Sequence, residues 1–528
     1  MISVKEKINL DFIRNQIIGR NLTFETPFGK RTLIYTDYSS SGSGLRFIES
    51  YLQRIQKIHA ISMNSGNITE KILLKLLQQA EYIIKSVFNA DDDCLIVPTG
   101  INLSDSIQKF QEIIGIRNSP EQNQLYSEKP TFFIGPFEKQ MYKDIWDNSF
   151  AEIVEIKLIP NGDIDLKDLE AKLSSKKYKG KLKVGIFSAG SEISGKKYSI
   201  LSLTNILHKY DAFSYIDYSS FAPYVQIEES VDALFVNGSN FIGGLNSTGM
   251  LVIKPDVIIS RSNSPKNTKL TPNSIFPILK AALAISTQTT LYDEIVKTEE
   301  LYFKKAYNRL SKNDRILILK NEIKGSKIPF FSIMIKYKEK YLHQGFIAKL
   351  LNDLFGIQAS IKQYGDFYEQ DITVPDKIDL TLLEFELKQG YRGINPGWVY
   401  FNLHYILSEI DIDYICNAID FIAKYGYLLI SSYEFNLVTG EWTHIKYEKE
   451  EDHDLIGDLS LLEIFNSDLE NHDIAQEKRD RAMDYEKYIQ KANKLAINNE
   501  LVFSGEFSEF EESNLESLHW FYFKNLKK

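Results

Sequence analysis

The chain has 528 residues, of which 43% are hydrophobic and 25% are charged, and its formal net charge is −9 at pH 7. This composition is close to the average of folded globular proteins, and the length predicts two or three packed domains. Acidic and basic residues are interspersed rather than clustered, which argues against nucleic acid as a partner.

The first predicted elements are helices, followed by strands that alternate with helices. Apolar residues recur at helical spacing from about Leu45 to Phe88. Seven β-rich runs come next, and helical stretches such as LSLTNILHKY separate several of them. The runs are CLIVPTG, PTFFIGPF, AEIVEIKLI, LKVGIFSAG, FSYIDYS, DALFVNGS and GMLVIK. This alternation predicts an α/β fold with a mainly parallel sheet and helices on both faces.

After Pro272 the pattern changes to a long helix, strands around FFSIMIKY, another helix, and a segment that ends in GWVYFNLHY. We therefore predict four regions. They are an N-terminal segment (1–45), a large α/β domain (46–290), a small α+β domain (295–430), and an acidic, partly helical C-terminal extension (431–528) in which EKRDRAMDYEKYIQKANKLA is the clearest helix.

Neither the N-terminus nor the cysteines indicate export. The segment MISVKEKINLDFIRNQ lacks the continuous apolar region of a secretory signal, and no stretch approaches the roughly 18 consecutive apolar residues of a membrane span. Cys94 and Cys416 lie far apart and form neither a disulfide framework nor a metal-ligand spacing. We expect a cytoplasmic protein with no membrane contact and no metal site.

The motifs of the chain follow its predicted strands, where ligands of open α/β sheets bind. In order they are YTDYSSSGSGLRFIESYL, PTGINLSDSIQKF, FSAGSEISG, YIDYSSFAPYVQIE, NGSNFIGGLNSTGMLVIK and GYRGINPGWVYFNLHYILSEIDIDYI. The first five resemble the class V aminotransferase and cysteine desulfurase family of PLP-dependent enzymes, and the sixth resembles the small-domain signature of one uncharacterised branch. The likeness runs from about Tyr35 to His444. The resemblance implies the PLP-dependent transferase fold type I, with a mainly parallel large domain and a smaller α+β C-terminal domain.

The resemblance also implies which residues would face PLP. Asp217 matches the aspartate that keeps the pyridine nitrogen protonated, although a strand-terminal Asp can equally cap a local turn. The turn 99–104 matches the phosphate loop, where backbone N–H groups at a helix start favour an anion, and a helix cap without a ligand is the alternative. In this turn the residues are Thr99, Gly100, Asn102 and Ser104, and the further positions are Ser220, Asn237, Ser239 and Ser247.

The lysine that forms the internal aldimine in the family has no counterpart here. Relatives carry it immediately before a Gly-Gly pair, and this chain has Asn240 at that position. An amide is not a nucleophilic amine and has no useful basicity near neutral pH. Lys254 and Lys266 lie outside the motif. The resemblance therefore implies that any PLP is held without a covalent bond.

Other functional positions depart from the family together. Lys139 stands in the segment where relatives have a His that stacks on the pyridine ring, and Glu192 replaces an Asn near the phenolic oxygen of the cofactor. Tyr400 replaces the Arg that clamps a substrate carboxylate. The segment FGIQASIKQYGDFYEQ lacks the cysteine of desulfurase-like relatives. The combined losses indicate a pseudoenzyme.

Three functions remain open at this level. The first is a non-catalytic binding, scaffold or regulatory subunit, as a homodimer or as a heterodimer with a catalytically intact paralogue, because enzymes of this fold build their sites across a two-fold axis. The second is an enzyme with atypical chemistry on a phosphate-bearing cofactor held non-covalently. The third is residual desulfurase or aminotransferase activity through another lysine.

Overall fold

Thirteen helices can be assigned in the described part of the computed structural model, which covers residues 8–58, 66–116, 126, 128–135, 140–160, 162–227, 231–257, 275–319, 327–366, 378–446, 474–510, 515 and 517–527. They are α1 (Leu10–Gln16), α2 (Arg46–Gln56), α3 (Ile68–Val87), α4 (Leu103–Ile114), α5 (Gln140–Asp147), α6 (Leu166–Leu173), α7 (Ile200–Lys209), α8 (Ile275–Thr290), α9 (Tyr292–Leu310), α10 (Gln344–Phe355), α11 (Leu380–Lys388), α12 (Glu409–Tyr425) and α13 (Ile474–Val502).

The strands of the same regions fall into one large sheet and several smaller ones. They are β1 (Thr23–Phe24), β2 (Arg31–Thr32), β3 (Ile34–Tyr35), β4 (Leu95–Thr99), β5 (Thr131–Ile134), β6 (Glu152–Glu155), β7 (Lys183–Ser188), β8 (Ala212–Asp217), β9 (Ala233–Asn237), β10 (Gly249–Ile253), β11 (Ile316–Ile318), β12 (Phe330–Tyr337), β13 (Lys340–Tyr341), β14 (Ile357–Gln358), β15 (Ser360–Gln363), β16 (Gly397–Asn402), β17 (Tyr433–Asn436), β18 (Trp442–His444) and β19 (Asn525–Lys527).

The large sheet has the order β4-β10-β9-β8-β7-β5-β6. β10 runs antiparallel to both of its neighbours, and the other neighbouring strands are parallel. Every residue of β9 and β10 is buried, as expected for strands covered by helices on both faces. The predicted α/β fold class with a mainly parallel sheet is confirmed. Six of the seven predicted β-rich runs contain one of these strands, and the run FSYIDYS contains all of β8 except its first residue, Ala212.

The second sheet is antiparallel, with the order β11-β12-β16-β15 and with β13 paired to the end of β12. It follows the change of pattern predicted after Pro272, a residue that lies outside the described ranges. The limits predicted for the two domains stay predictions. The N-terminal segment joins this half of the molecule, because β3 pairs in parallel with β14 and the Asn402 N–H donates to Thr36 O at 2.6 Å.

The helix predicted after Pro272 is divided into α8 and α9 at Leu291. The hydroxyls of Thr287, Thr289 and Thr290 donate to the carbonyls four residues earlier, at 2.8–2.9 Å. Such bonds compete with the helical ladder and bend a helix. Leu291 is buried at the junction, so that the two helices pack separately.

The C-terminal extension packs against the rest of the chain. Tyr485, Tyr488, Ala492 and Ala496 form a buried stripe along α13. β19 pairs in parallel with β17, and β17 pairs on its other side with β18. None of the helices in the described ranges is both long and apolar enough to cross a membrane.

Candidate functional site

The ends of β4, β8 and β9 meet at one edge of the large sheet. Gly249, at the start of β10, is in register with Thr99 on one side and with Asn237 on the other. Asp217 ends β8, and its partner in β9 is Phe235. Consequently one space is shared by the turn after β4, the segment after β8 and the short 3-10 helix Gly238–Asn240 that follows β9.

Asn240 lies in this space and is 4% exposed. Its Nδ2 donates to Ser39 O at 3.0 Å and to Ser219 O at 2.9 Å. Its Oδ1 accepts from Asn237 Nδ2 at 3.1 Å, and the same Nδ2 also donates to Ile101 O at 2.9 Å. Both polar atoms of the Asn240 amide are therefore used in binding together segments that are distant in the sequence.

The N-terminal loop 37–43 is pressed against Asn240. The Gly42 N–H donates to Ser239 O at 2.7 Å, and the Gly243 N–H donates to Ser43 O at 2.7 Å. A Cβ atom on Gly42 would lie 2.1 Å from Phe241 O, so no larger residue fits without moving the backbone. The sequence analysis did not assign a role to this loop, although it begins the first motif of the family resemblance.

A carboxylate stands at the start of α4, which is the predicted phosphate turn. An ideal Cβ on Gly100 would lie 1.7 Å from Asp105 Oδ2, so that this oxygen occupies the space directly over the glycine. Asn102 is the N-terminal capping residue of α4, but its side chain makes no capping hydrogen bond. Ser104 is half-buried in the first turn. Asp105 therefore places a negative charge beside Gly100 at the start of α4, where an anionic ligand would bind.

Carboxylates also surround Tyr400, which is 1% exposed. Burial raises the pKa of Tyr400 well above its usual value, and the charges of Asp37 and Glu192 raise it further. Glu192 Oε1 accepts from Ser220 Oγ at 2.6 Å. The Asp37 carboxylate accepts from the Ser39 hydroxyl at 3.1 Å and from the Ser360 hydroxyl. Sequence reasoning missed Asp37 because it lies in the N-terminal segment, far from the predicted strands.

One cation reaches the same tyrosine. Lys362 Nζ lies 5.4 Å from the centre of the Tyr400 ring, on the neighbouring strand β15. Its single ammonium is a point charge and cannot reproduce the fork of two parallel hydrogen bonds that an arginine gives to a carboxylate. The position of Tyr400 thus offers a buried phenol with a lysine over its ring.

The remaining predicted positions lie as follows. Asp217 Oδ1 accepts from the Ser219 N–H at 2.8 Å. Ser239 and Ser247 are buried, and within the described part of the chain their hydroxyls have no hydrogen-bond partner. Thr248 donates to Thr99 O at 2.8 Å. Lys139 lies outside the described residues.

The comparisons with known proteins come from structure alone, since no protein-family model and no curated protein matches the sequence. A NifS-like protein from Rickettsia africae ESF-5 matches with a TM-score of 0.58 and 15% identity, over 74% of this chain and 99% of that one. A cysteine desulfurase from Thermococcus onnurineus NA1 matches with a TM-score of 0.58 and 16% identity, over 74% and 95%.

The cysteine desulfurase CsdA from Escherichia coli matches with a TM-score of 0.57 and 14% identity, over 78% of this chain and 98% of that one. Identities this low establish the fold and do not transfer the site residues. The similarity spans nearly the whole of each of these structures. It agrees with the architecture described above, in which a large sheet with the antiparallel strand β10 accompanies a second, antiparallel sheet. The chain has the fold of the NifS-like cysteine desulfurases, the PLP-dependent fold type I.

Proposed function

We propose that this chain is a cysteine desulfurase-like pseudoenzyme that acts as a non-catalytic binding, scaffold or regulatory subunit. The hydrogen bonding of Asn240 carries the proposal. Its amide donates to Ser39 O and accepts from Asn237 in buried surroundings, and it donates to Ser219 O in a partly buried one. In place of a reactive amine, the motif holds a group that fastens the N-terminal loop to the sheet edge.

Catalysis through this position would need a side chain that moves. A lysine that bonds to a cofactor and then transfers a proton must exchange partners during the reaction. The Asn240 amide has no free donor or acceptor to exchange without leaving a buried carbonyl unsatisfied, which costs about 1–3 kcal/mol per group. A fixed structural role explains why an asparagine fits here.

The electrostatics of the cleft support the same proposal. Asp105 lies over the predicted phosphate turn, and Asp37 and Glu192 face Tyr400. Carboxylates at these places repel both a phosphate and a substrate carboxylate. The residues present do not fit a covalently attached PLP.

One observation favours the second candidate, an enzyme with a phosphate-bearing ligand that is held non-covalently. The hydroxyls of Ser239 and Ser247 are buried and lack partners within the described ranges, so each could donate to a phosphate oxygen. These donors are neutral, and Asp105 lies at the helix start nearby. We infer at most weak binding of such a ligand.

Residual activity through another lysine is the third candidate. Lys254 forms an ion pair with Asp232, with Nζ 3.5 Å from Oδ1, at the far end of β10 from Gly249. An amine at this end of the strand is remote from Asn240. Lys266 lies outside the described residues. Nothing in the geometry of Lys254 supports a catalytic role.

The proposed subunit role includes a dimer, either of two copies or with a catalytically intact paralogue. In relatives, the loop that corresponds to Ser247 and Thr248 reaches the phosphate of the partner. Here both residues are buried in their own chain, at 6% and 7% exposure. The loop would have to turn outward to serve a second copy. Light scattering of the purified chain tests the homodimer, and an obligate monomer would contradict it.

The decisive experiment is reduction with borohydride in the presence of PLP. The full-length protein is incubated with PLP and treated with borohydride. Its intact mass and its absorbance are then measured to detect an added pyridoxyl group. We expect no pyridoxyl group near residue 240 and no desulfuration of cysteine, and an active cysteine desulfurase serves as the control. A specific, stoichiometric pyridoxyl-lysine together with turnover would overturn the proposal.

A further inference from the structure

A cavity of about 250 Å³ lies where the N-terminal segment, the residues before α12 and the C-terminal helix α13 meet. Part of its lining is apolar and includes Leu33 and Leu407. The lining also includes the charged residues Arg20, Arg481 and Asp411. The cavity is smaller than the roughly 300–1,000 Å³ typical of pockets for drug-sized ligands, so it suits a small molecule.

The one acidic group among the lining residues is already saturated. Asp411 is 1% exposed, and its Oδ2 accepts from the Ser408 N–H and the Ser408 hydroxyl, both at 2.8 Å. Its Oδ1 accepts from the Tyr485 hydroxyl at 2.7 Å and lies 3.5 Å from Arg481 Nε. These bonds hold the pKa of Asp411 below its usual value against the effect of burial. The negative charge of Asp411 is therefore already used in its contacts with Arg481, Tyr485 and the start of α12.

Arg20 is half-buried, and one of its donor nitrogens lacks a partner. Its Nη1 is buried and makes no hydrogen bond to any residue in the described part of the chain. Burial and the positive charge of Arg481 lower the pKa of Arg20, and the negative charge of Asp411 opposes them. A guanidinium nevertheless stays protonated in proteins. The cavity thus holds two positive charges against the single charge of Asp411.

A third arginine nearby shows what a structural arginine looks like in this protein. Arg14 Nη2 donates to Tyr405 O at 2.8 Å and to Leu407 O at 2.9 Å, and its Nη1 pairs with Asp11 at 3.2 Å. Every edge of that guanidinium is used. The contrast with Arg20 indicates that Arg20 Nη1 is available to a group from outside the chain, because a buried donor without an acceptor is costly.

We propose that this cavity binds a small organic carboxylate, with its anionic head between Arg20 and Arg481 and its apolar body against Leu33 and Leu407. The planar fork of a guanidinium matches a carboxylate in a bidentate geometry. The apolar part of the lining favours such a ligand over an inorganic anion, which has no apolar body. The site is distinct from the cleft around Asn240 and does not depend on the proposed function.

The cavity also touches the loop that covers Asn240. Tyr38 and Ser43 of this loop line the cavity. The Ser43 carbonyl in turn accepts from the Gly243 N–H at 2.7 Å. A ligand in the cavity would therefore contact the same loop that Asn240 fastens from the other side.

The test is calorimetric titration of the full-length protein with three probes: hexanoate, hexanamide and inorganic phosphate. We expect hexanoate to bind, hexanamide to fail because it has no charge, and phosphate to bind more weakly because it has no apolar body. Arg20→Met should weaken hexanoate binding by about tenfold or more, the effect of losing a charge-assisted hydrogen bond. Arg54→Met, at an exposed position in α2, is the matched control and should leave binding unchanged.

The melting temperature without ligand separates this role from a structural one. Arg20→Met removes a positive charge near that of Arg481 together with a buried donor that has no acceptor, so it should keep or raise the melting temperature while it weakens binding. A marked fall in melting temperature would show that Arg20 stabilises the fold, and the proposal would be wrong. Hexanoate binding that is absent, equal in Arg20→Met, or matched by phosphate or hexanamide would also overturn it.

Discussion

Replacing Asn240 by alanine tests whether this residue is a structural fastener. The substitution leaves the carbonyls of Ser39 and Ser219 without their donor and removes one acceptor of Asn237. A net hydrogen bond contributes about 1 kcal/mol, and a buried group left unsatisfied costs about 1–3 kcal/mol. With one buried and one partly buried carbonyl affected, we expect the free energy of unfolding to fall by about 2–4 kcal/mol.

The measurement is the urea midpoint of the full-length protein, followed by tryptophan fluorescence. Asn148→Ala is the matched control, because the Asn148 amide donates to Asp144 O at 2.7 Å in an exposed position. It should change the free energy of unfolding by no more than about 0.5 kcal/mol. Asn240→Asp is a second probe, since a carboxylate keeps the shape and cannot donate to the two carbonyls. An Asn240→Ala effect no larger than that of the control would refute the fastening role.

Two further predictions concern charge in buried positions. Asn240→Lys should at best let PLP attach in a form that borohydride fixes, without efficient desulfuration or amino-group transfer. The reason is that Tyr400 offers no guanidinium to a substrate carboxylate and that Glu192 faces Tyr400. Robust turnover in a coupled assay would show that the rest of the site is intact. Glu299 is 4% exposed, and burial raises its pKa well above the ordinary value of 4.5. The stability that this carboxyl group contributes is therefore present at acid pH and is lost as the pH rises from about 4.5 through the pKa of the folded state. Glu299→Gln should therefore match the parent protein near pH 4 and become the more stable one by pH 8 in urea midpoints, whereas a difference that does not change with pH would mean that Glu299 is ionised in the fold.

The sequence alone determined the fold class. Runs such as LKVGIFSAG and DALFVNGS have an apolar centre bounded by polar and turn residues, a local pattern typical of strands covered on both faces of a sheet. The order of the motifs then indicated the fold type. The replacement of the family lysine at Asn240 could also be recognised at this level, because it depends on residue identity beside the Gly-Gly pair and on no distance.

Only the tertiary structure decided what Asn240 does. Its partners Ser39 and Ser219 lie far from it in the sequence, and the loop 37–43 has no periodicity that would place it over the sheet edge. The same holds for Arg20 and Arg481, which are separated by most of the chain and meet because β3 pairs with β14 and α13 packs beside α12. A sequence pattern reports local preference and the burial of one face, whereas the pairing of distant polar groups depends on how the elements close around the core.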